Sequence, residues 1–271
     1  MALIPLEDNF ADIINKAQRG RKISDERLAQ VAAIDMTDLQ AVKAGTPIVA
    51  VIRRVARHLR LNPDALEAVA RHAWYPKIPT FPRGFAMFNT PYDDITVNSY
   101  LIWDSRSRQA LAFDTGADAS AMIDIIEQER LSLRAILLTH THEDHVADID
   151  KLSKATGAEV FSHENEPLPG HRTFKENAHF HAGELAAKAL LTSGHSPGLT
   201  TFFVTGLSWP LAVVGDSLFA ASMGGSDDHF DEQYKNNYSK ILTLPRDTVL
   251  APGHGPLTTL AQEKDHNPFF A

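Results

Sequence analysis

The sequence predicts a two-part chain: a small all-α bundle followed by an α/β layered domain. Three observations lead there. Up to about residue 75 the apolar positions fall only at helical spacing. A proline-dense stretch, Tyr75-Pro-Lys-Ile-Pro-Thr-Phe-Pro82, then forbids helix continuation. Beyond it, short apolar strands in runs are interrupted by helices, the pattern of a layered α/β domain. Charge divides at the same place: residues 1–80 hold 12 basic and 9 acidic side chains, a net +3, whereas 81–271 hold 14 and 25, a net −11. The expected boundaries are therefore 1–75 for the helical unit, 76–84 for the linker and 85–271 for the layered unit.

In the helical unit Ser24 is placed to cap a helix carrying Leu28, Val31 and Ala32. Thr37 is expected to cap Asp38–Ala44, which Gly45 ends. Thr46-Pro47 offers a cap followed by proline for a helix with the stripe Val51, Ile52, Val55, Ala56 and Leu59. Asn62-Pro63 repeats the device for Leu66, Val69 and Ala70. In the second part, Val97–Trp103 and Gln109–Phe113 read as paired strands around a turn. A helix over Ala119–Glu129 and the strand Ala135–Leu138 follow, then a helix over Val146–Thr156 and the strand Glu159–Ser162. Ala187–Leu191, Thr201–Thr205 and Leu211–Val214 are strand-like, and Asp231–Leu242 is a helix.

Composition narrows the chemistry. The 271 residues are 44% hydrophobic and 22% charged, ordinary for a soluble globular protein. No apolar run approaches the roughly 18 residues of a membrane span. The acidic opening Met1-Ala-Leu-Ile-Pro-Leu-Glu-Asp does not read as a secretory signal, so the expected location is cytoplasmic. There is no cysteine, which removes disulfides, thiolate nucleophiles and Cys-ligated metals together. Thirteen histidines stand out, because any metal site here must be built from histidine and carboxylate.

The strongest local signal is Thr139-His140-Thr141-His142-Glu143-Asp144-His145, directly after an apolar strand and before a helix. Residues two apart in extended chain point the same way, so His140 and His142 can converge on one ion. Asp144 and His145, at the helix start, project back toward a second position. Imidazole and carboxylate together suit zinc, and also iron or manganese. Three later features match in kind: Gly194-His195-Ser196-Pro197-Gly198, Val214-Gly215-Asp216 and Pro252-Gly253-His254-Gly255. Each puts a polar residue at a strand end beside glycines that let backbones crowd a small site. His163, His171, His179, His181, His58, His72 and His266 read as loop, surface or structural histidines. Tyr234, Asn236 and Tyr238 serve either a pocket or packing.

On these residues the sequence resembles the metallo-β-lactamase superfamily: the H-x-H-x-D-H loop at 140–145, then His195, Asp216 and His254, occur in its order over about residues 85–271. The resemblance implies an αββα sandwich with two divalent metal ions at one edge. His140, His142 and His195 would hold the first, Asp144, His145 and His254 the second, and Asp216 would bridge them. The tail, with Gly253-His-Gly-Pro-Leu-Thr-Thr259, Glu263 and Asn267-Pro-Phe269, is similar to short bacterial glyoxalase II-like (hydroxyacylglutathione hydrolase-like) enzymes. The chain ends before the C-terminal helical domain of the long form. Phe219-Ala-Ala-Ser-Met-Gly-Gly-Ser226 departs from the family's usual glycine-arginine element.

The activity so implied is hydrolysis of a thioester or related acyl bond by a metal-bridging hydroxide, with Asp144 and Asp216 orienting it and zinc the expected metal. Four metal charges against two carboxylates and one hydroxide favour a small anionic substrate. The alternatives are a mononuclear iron enzyme of the persulfide dioxygenase kind, and a lactonase. Residues 23–70 resemble the helix-turn-helix domain of phage-repressor-type regulators, which adds a DNA-binding, metabolite-sensing regulator. The segment matching its recognition helix, Asp35–Lys43, has two acids and one base, the reverse of what phosphates demand. The unit is therefore expected to serve dimerisation or to cover the active-site mouth, with no nucleic-acid or membrane partner.

Overall fold

The computed structural model describes residues 3–77 and 80–271. Met1 and Ala2 of the opening segment, and Ile78 and Pro79 of the expected linker, lie outside the described residues.

Five helices come first: α1 Phe10–Gly20, α2 Asp25–Ala32, α3 Met36–Lys43, α4 Val49–His58 and α5 Pro63–Ala70. A capping box starts α1, in which the Asn9 side chain accepts from Ala11 and Asp12 amides while Asp12 accepts from Asn9 N–H. Ser24 and Asn62 cap α2 and α5 as the sequence predicts. Thr37 does not cap α3, which begins two residues earlier than expected, behind Asp35. Nor does Thr46-Pro47 open α4, whose N-cap is Ile48. The Thr46 amide is already committed: with Gly45 at φ 98°, Thr46 N–H reaches Ala41 O and Gly45 N–H reaches Val42 O, closing α3.

Two six-stranded sheets follow. The first pairs β1 Phe85–Tyr92, β2 Ile95–Trp103, β3 Gln109–Phe113, β4 Ser132–Leu137, β5 Val160–His163 and β6 Arg172–Phe174, in that order. The second runs β12 Thr258–Thr259, β11 Val249–Pro252, β10 Leu211–Gly215, β9 Thr200–Thr205, β8 Leu185–Leu191 and β7 His179–Ala182. Helices α6 Ser120–Gln128, α7 Glu143–Val146, α8 Ile149–Thr156, α9 Phe230–Asn236 and α10 Leu260–His266 complete the chain. The single helix expected over Val146–Thr156 is broken, because Thr115 takes the His145 carbonyl that Ile149 would need in a continuous helix. The late helix passes into a π turn at Asn237–Ile241, which aims the Asn237 amide at Ser217 O, 2.8 Å away.

Period-two alternation sorts each strand between layers. Tyr100, Ile102, Leu111, Phe113 and Leu137 face Ala187, Ala189, Phe202, Val204, Leu211, Val213 and Ala251 across the sandwich. Their neighbours Leu101, Ala110, Ala112 and Ile136 turn outward onto Met122, Ile126, Ile149 and Leu152 of α6 and α8. Ala212, Val214 and Leu250 turn outward on the other side. There they join one buried cluster with Ile13, Ile14, Leu28, Leu39, Ile52, Leu66 and the tail residues Phe269 and Phe270. The order of layers is helix, sheet, sheet, helix, and α1–α5 share the last layer with α9 and α10. No helix among the described residues is long and apolar enough to cross a membrane.

Strands β3 and β4 run parallel in one sheet, as do β10 and β11 in the other. Asp114, Thr139, Asp216 and Gly253 all follow the C-terminal ends of these strands, at one edge of the sandwich.

Candidate metal centre

The seven polar residues singled out in the sequence meet at that edge. His140 Nε2 and His195 Nε2 each lie 3.1 Å from His142 Nδ1. Asp144 Oδ2 lies 3.5 Å from His145 Nε2 and 3.3 Å from His254 Nε2. Asp216 stands between the two sets. Its Oδ2 is 3.4 Å from His195 Nε2 and 3.5 Å from His254 Nε2, and its Oδ1 is 3.4 Å from His145 Nε2. Three groups of donor atoms therefore lie within 4.8 Å of one another: His140 with His142 and His195; Asp144 with His145 and His254; and His140 with His145 and Asp216.

Backbone and carboxylate acceptors hold the rings. His195 Nδ1 donates to Gly225 O at 2.8 Å and His254 Nδ1 to Thr96 O at 2.7 Å. A carbonyl oxygen only accepts, so in both rings Nδ1 carries hydrogen and Nε2 faces the cluster. His145 Nδ1 meets Asp114 Oδ2 at 2.9 Å. The same Asp114 carboxylate accepts from Thr139 N at 2.7 Å and Thr139 Oγ1 at 2.8 Å, anchoring the start of the histidine loop. Asp114 sits at φ 56°, a left-handed turn that short polar side chains tolerate. Two glycines permit the crowding. A Cβ on Gly215 would press on Thr139, and one on Gly253 would fall on Asp216 Oδ1 and the His145 ring.

Charge within the cluster is uneven. Burial lowers His140 well below the ordinary histidine value, and burial with the neighbouring His195 lowers His142. Burial opposes charge on His145 too, but Asp216 and Asp114 overcome it and raise that histidine to about 10. His254, against Asp216 and Asp144, is raised to about 11 despite burial. Burial disfavours the Asp216 carboxylate, yet His254 and His145 hold it well below its ordinary range.

The donor set fits divalent metal. His145 Nε2 and Asp216 Oδ1 are buried and have no hydrogen-bond partner, a costly state that a divalent cation would relieve by taking the place of the proton on the raised His145. With Nδ1 of His195 committed to Gly225, the close ring nitrogens of His142 and His195 likewise gain from a shared cation.

The family model for the metallo-beta-lactamase superfamily matches residues 92–254, more than half of the chain. The chain belongs to the metallo-beta-lactamase superfamily. It is 30% identical over 204 residues to a probable metallo-hydrolase, YqgX of Bacillus subtilis strain 168, covering 66% of this chain and 94% of that one. It is 32% identical to the hydroxyacylglutathione hydrolase GloC of Haemophilus influenzae, covering 64% and 92%. Among solved structures, the BLEG-1 B3 metallo-beta-lactamase superposes with a TM-score of 0.59 at 28% identity, covering 69% of this chain and all of that one.

Several residues that support the seven donors carry no functional signal in the sequence. Glu166 accepts from Thr141 N and Oγ1, both at 2.8 Å, from Ser196 Oγ at 2.5 Å and from Gly198 N at 2.9 Å. It thus ties the His140–His142 loop to the His195 loop. Asn98 Nδ2 donates to Pro252 O at 2.9 Å and Gly255 O at 2.8 Å, fixing the turn that carries His254. A lone Glu or Asn in a strand or loop carries no sequence signal of this kind. The other histidines stay outside. The buried His163 ring packs on Phe174, and His266 lies beside Trp74. Asn236 donates to Ser193 O, and Tyr234 stacks with Phe230 and Phe270. A cavity of about 320 Å³ opens beside His195, walled by Ser193, Pro197, His229 and Glu232. A larger one of about 670 Å³, toward Arg21 and Arg60, shares His229 and Glu232 but none of the seven donors.

Proposed function

We propose that this superfamily member is a two-metal hydrolase of thioesters or related acyl bonds. His140, His142 and His195 would hold one divalent ion, Asp144, His145 and His254 the other, and Asp216 both. Zinc suits this nitrogen and oxygen donor set, as do iron and manganese. The observation that carries the reading is the position of Asp216, whose carboxylate lies within 3.5 Å of histidines from both sets. When bound, such a pair supplies Lewis acidity and a water acidified to near neutral pH.

The chain's own residues do the rest. Asp144 and Asp216 bring the only two carboxylates of the seven donors, so the loaded site stays cationic and attracts an anionic substrate. The cavity beside His195 gives the acyl or thiol portion a place next to the donors. Asp114, Gly225 O and Thr96 O fix ring orientation, so little reorganisation accompanies the reaction. The hydroxyacylglutathione hydrolase relative supports a small thioester substrate.

We also keep the division into a helical unit at 1–75, a linker at 76–84 and a catalytic unit at 85–271. The apolar faces of α1–α5 are spent on the outer face of β10 and β11, which argues against dimerisation through them. Arg53 is likewise engaged, with Asp64 at 2.7 Å and Glu67 at 2.6 Å, rather than displayed to phosphates.

The test is Asp216→Ala. Hydrolysis of a thioester panel should fall by several orders of magnitude while the far-ultraviolet circular dichroism stays unchanged. Full activity in the folded variant would refute the reading. One iron with oxygen uptake in the parent protein would favour the dioxygenase instead.

A further inference from the structure

Helix α1, outside the part matched by the family model, reaches the metal centre through a buried ion pair. Lys16 Nζ lies 2.5 Å from Asp8 Oδ2, with side chains only 16% and 7% exposed. Both ends of the pair grip the segment after β10. Asp8 Oδ2 accepts from Ser222 Oγ at 2.5 Å, and Lys16 Nζ donates to Met223 O at 3.1 Å while lying 5.1 Å from the centre of the Phe219 ring. The Lys16 stem runs past the open side of Gly225, its Cε 3.9 Å from where a Cβ would stand. Gly225 O is the acceptor for His195 Nδ1, and Ser226 Oγ donates to Gly194 O at 2.7 Å. The hydrogen bonds thus run from α1 through residues 222–226 to His195.

Buried ion pairs seldom add net stability, because desolvation offsets their attraction. Two further pairs nearby, Arg19 of α1 with Asp227 and Lys22 just after α1 with Asp228, are exposed and hold little. What the buried pair supplies is geometry: two directed contacts on adjacent residues of a segment with no regular secondary structure.

We propose that Asp8 and Lys16 are positioning residues for His195, so that the helical unit is a working part of the metal centre. The inference rests on reading His195 as a metal ligand. Its test compares zinc binding by the parent protein and by D8N/K16M, which removes both charges together and leaves neither buried alone. Zinc affinity and stoichiometry would be read by competition with a chromogenic chelator, and the visible spectrum of the cobalt-loaded protein would report the ligand geometry. We expect a tenfold to hundredfold loss of affinity for one of the two ions, an altered cobalt spectrum, and near-parent affinity for the other ion. Equal affinity for both ions in parent and variant would overturn the proposal and leave the two-metal reading intact. A parent protein that binds no zinc would instead sink that reading. Should D8N/K16M fail to fold, S222A removes one of the two contacts between the pair and the segment and leaves Lys16 on Met223 O. A twofold to fivefold loss for one ion is expected there, and unchanged affinity would again overturn the proposal.

Discussion

Glu263 lies fully buried in α10, and its environment gives a pH dependence that can be worked through. Its Oε1 accepts from Thr258 Oγ1 at 2.7 Å, and its Oε2 from Ala221 N at 3.0 Å and Asn267 Nδ2 at 2.8 Å. Burial raises the carboxyl from its ordinary 4.5 to about 7, further than these donors bring it down. A raised acid favours the folded state when protonated. The stabilisation is therefore complete below pH 4.5 and is lost as pH rises to about 7, beyond which it is constant. At about 1.4 kcal/mol per pH unit the change is about 3 kcal/mol. Glu263→Gln mimics the protonated acid, since its amide can donate to Thr258 and its carbonyl can accept from Ala221 and Asn267. Urea unfolding at several pH values would follow both proteins. They should be nearly equally stable at pH 4.5, and the parent should lose about 3 kcal/mol more than the variant by pH 7. A difference between them that does not change with pH would refute the reasoning.

Other outcomes follow from the same contacts. Glu166→Ala leaves four donors on two histidine loops without an acceptor, so zinc affinity measured by chelator competition should fall tenfold or more; unchanged affinity would mean the loops need no tie. Ile52→Ala opens a cavity in the cluster shared by α4 and the second sheet and should cost about 2–5 kcal/mol by chemical denaturation. Because that cluster is continuous, helical-unit and sheet probes should report one transition, and two separated transitions would contradict the packing.

Much of this fold can be read from the sequence, and the parts that cannot share a cause. All the interior strands announce themselves as apolar runs, because both of their faces are covered. The strands left unread, β1, β6, β7 and β12, are the edge strands of the two sheets. An edge strand tolerates Pro91 in β1, or His179 and His181 in β7, at little cost, so its composition resembles a loop. The caps at Ser24 and Asn62 were legible because each side chain meets its own helix; Thr37 misled because α3 already starts ahead of it behind Asp35, and Thr46 because it belongs to the turn that closes α3.

The site divides in a similar way. The seven donors stood out as histidines and aspartates at strand ends in a set order, and the structure brings all of them together. Their supports did not stand out. Glu166, Asn98 and the Asp8–Lys16 pair act across 25 to 214 residues of sequence separation, and no local pattern marks a partner that distant. Gly225 contributes only a carbonyl, which the residue type does not record.

Elemental analysis of the purified protein, reported as metal atoms per chain alongside thioester turnover, tests the two-metal centre most directly. The account predicts two divalent ions per chain, with turnover lost on chelation and regained when zinc is returned. A fully folded, active protein carrying one ion or none would contradict it.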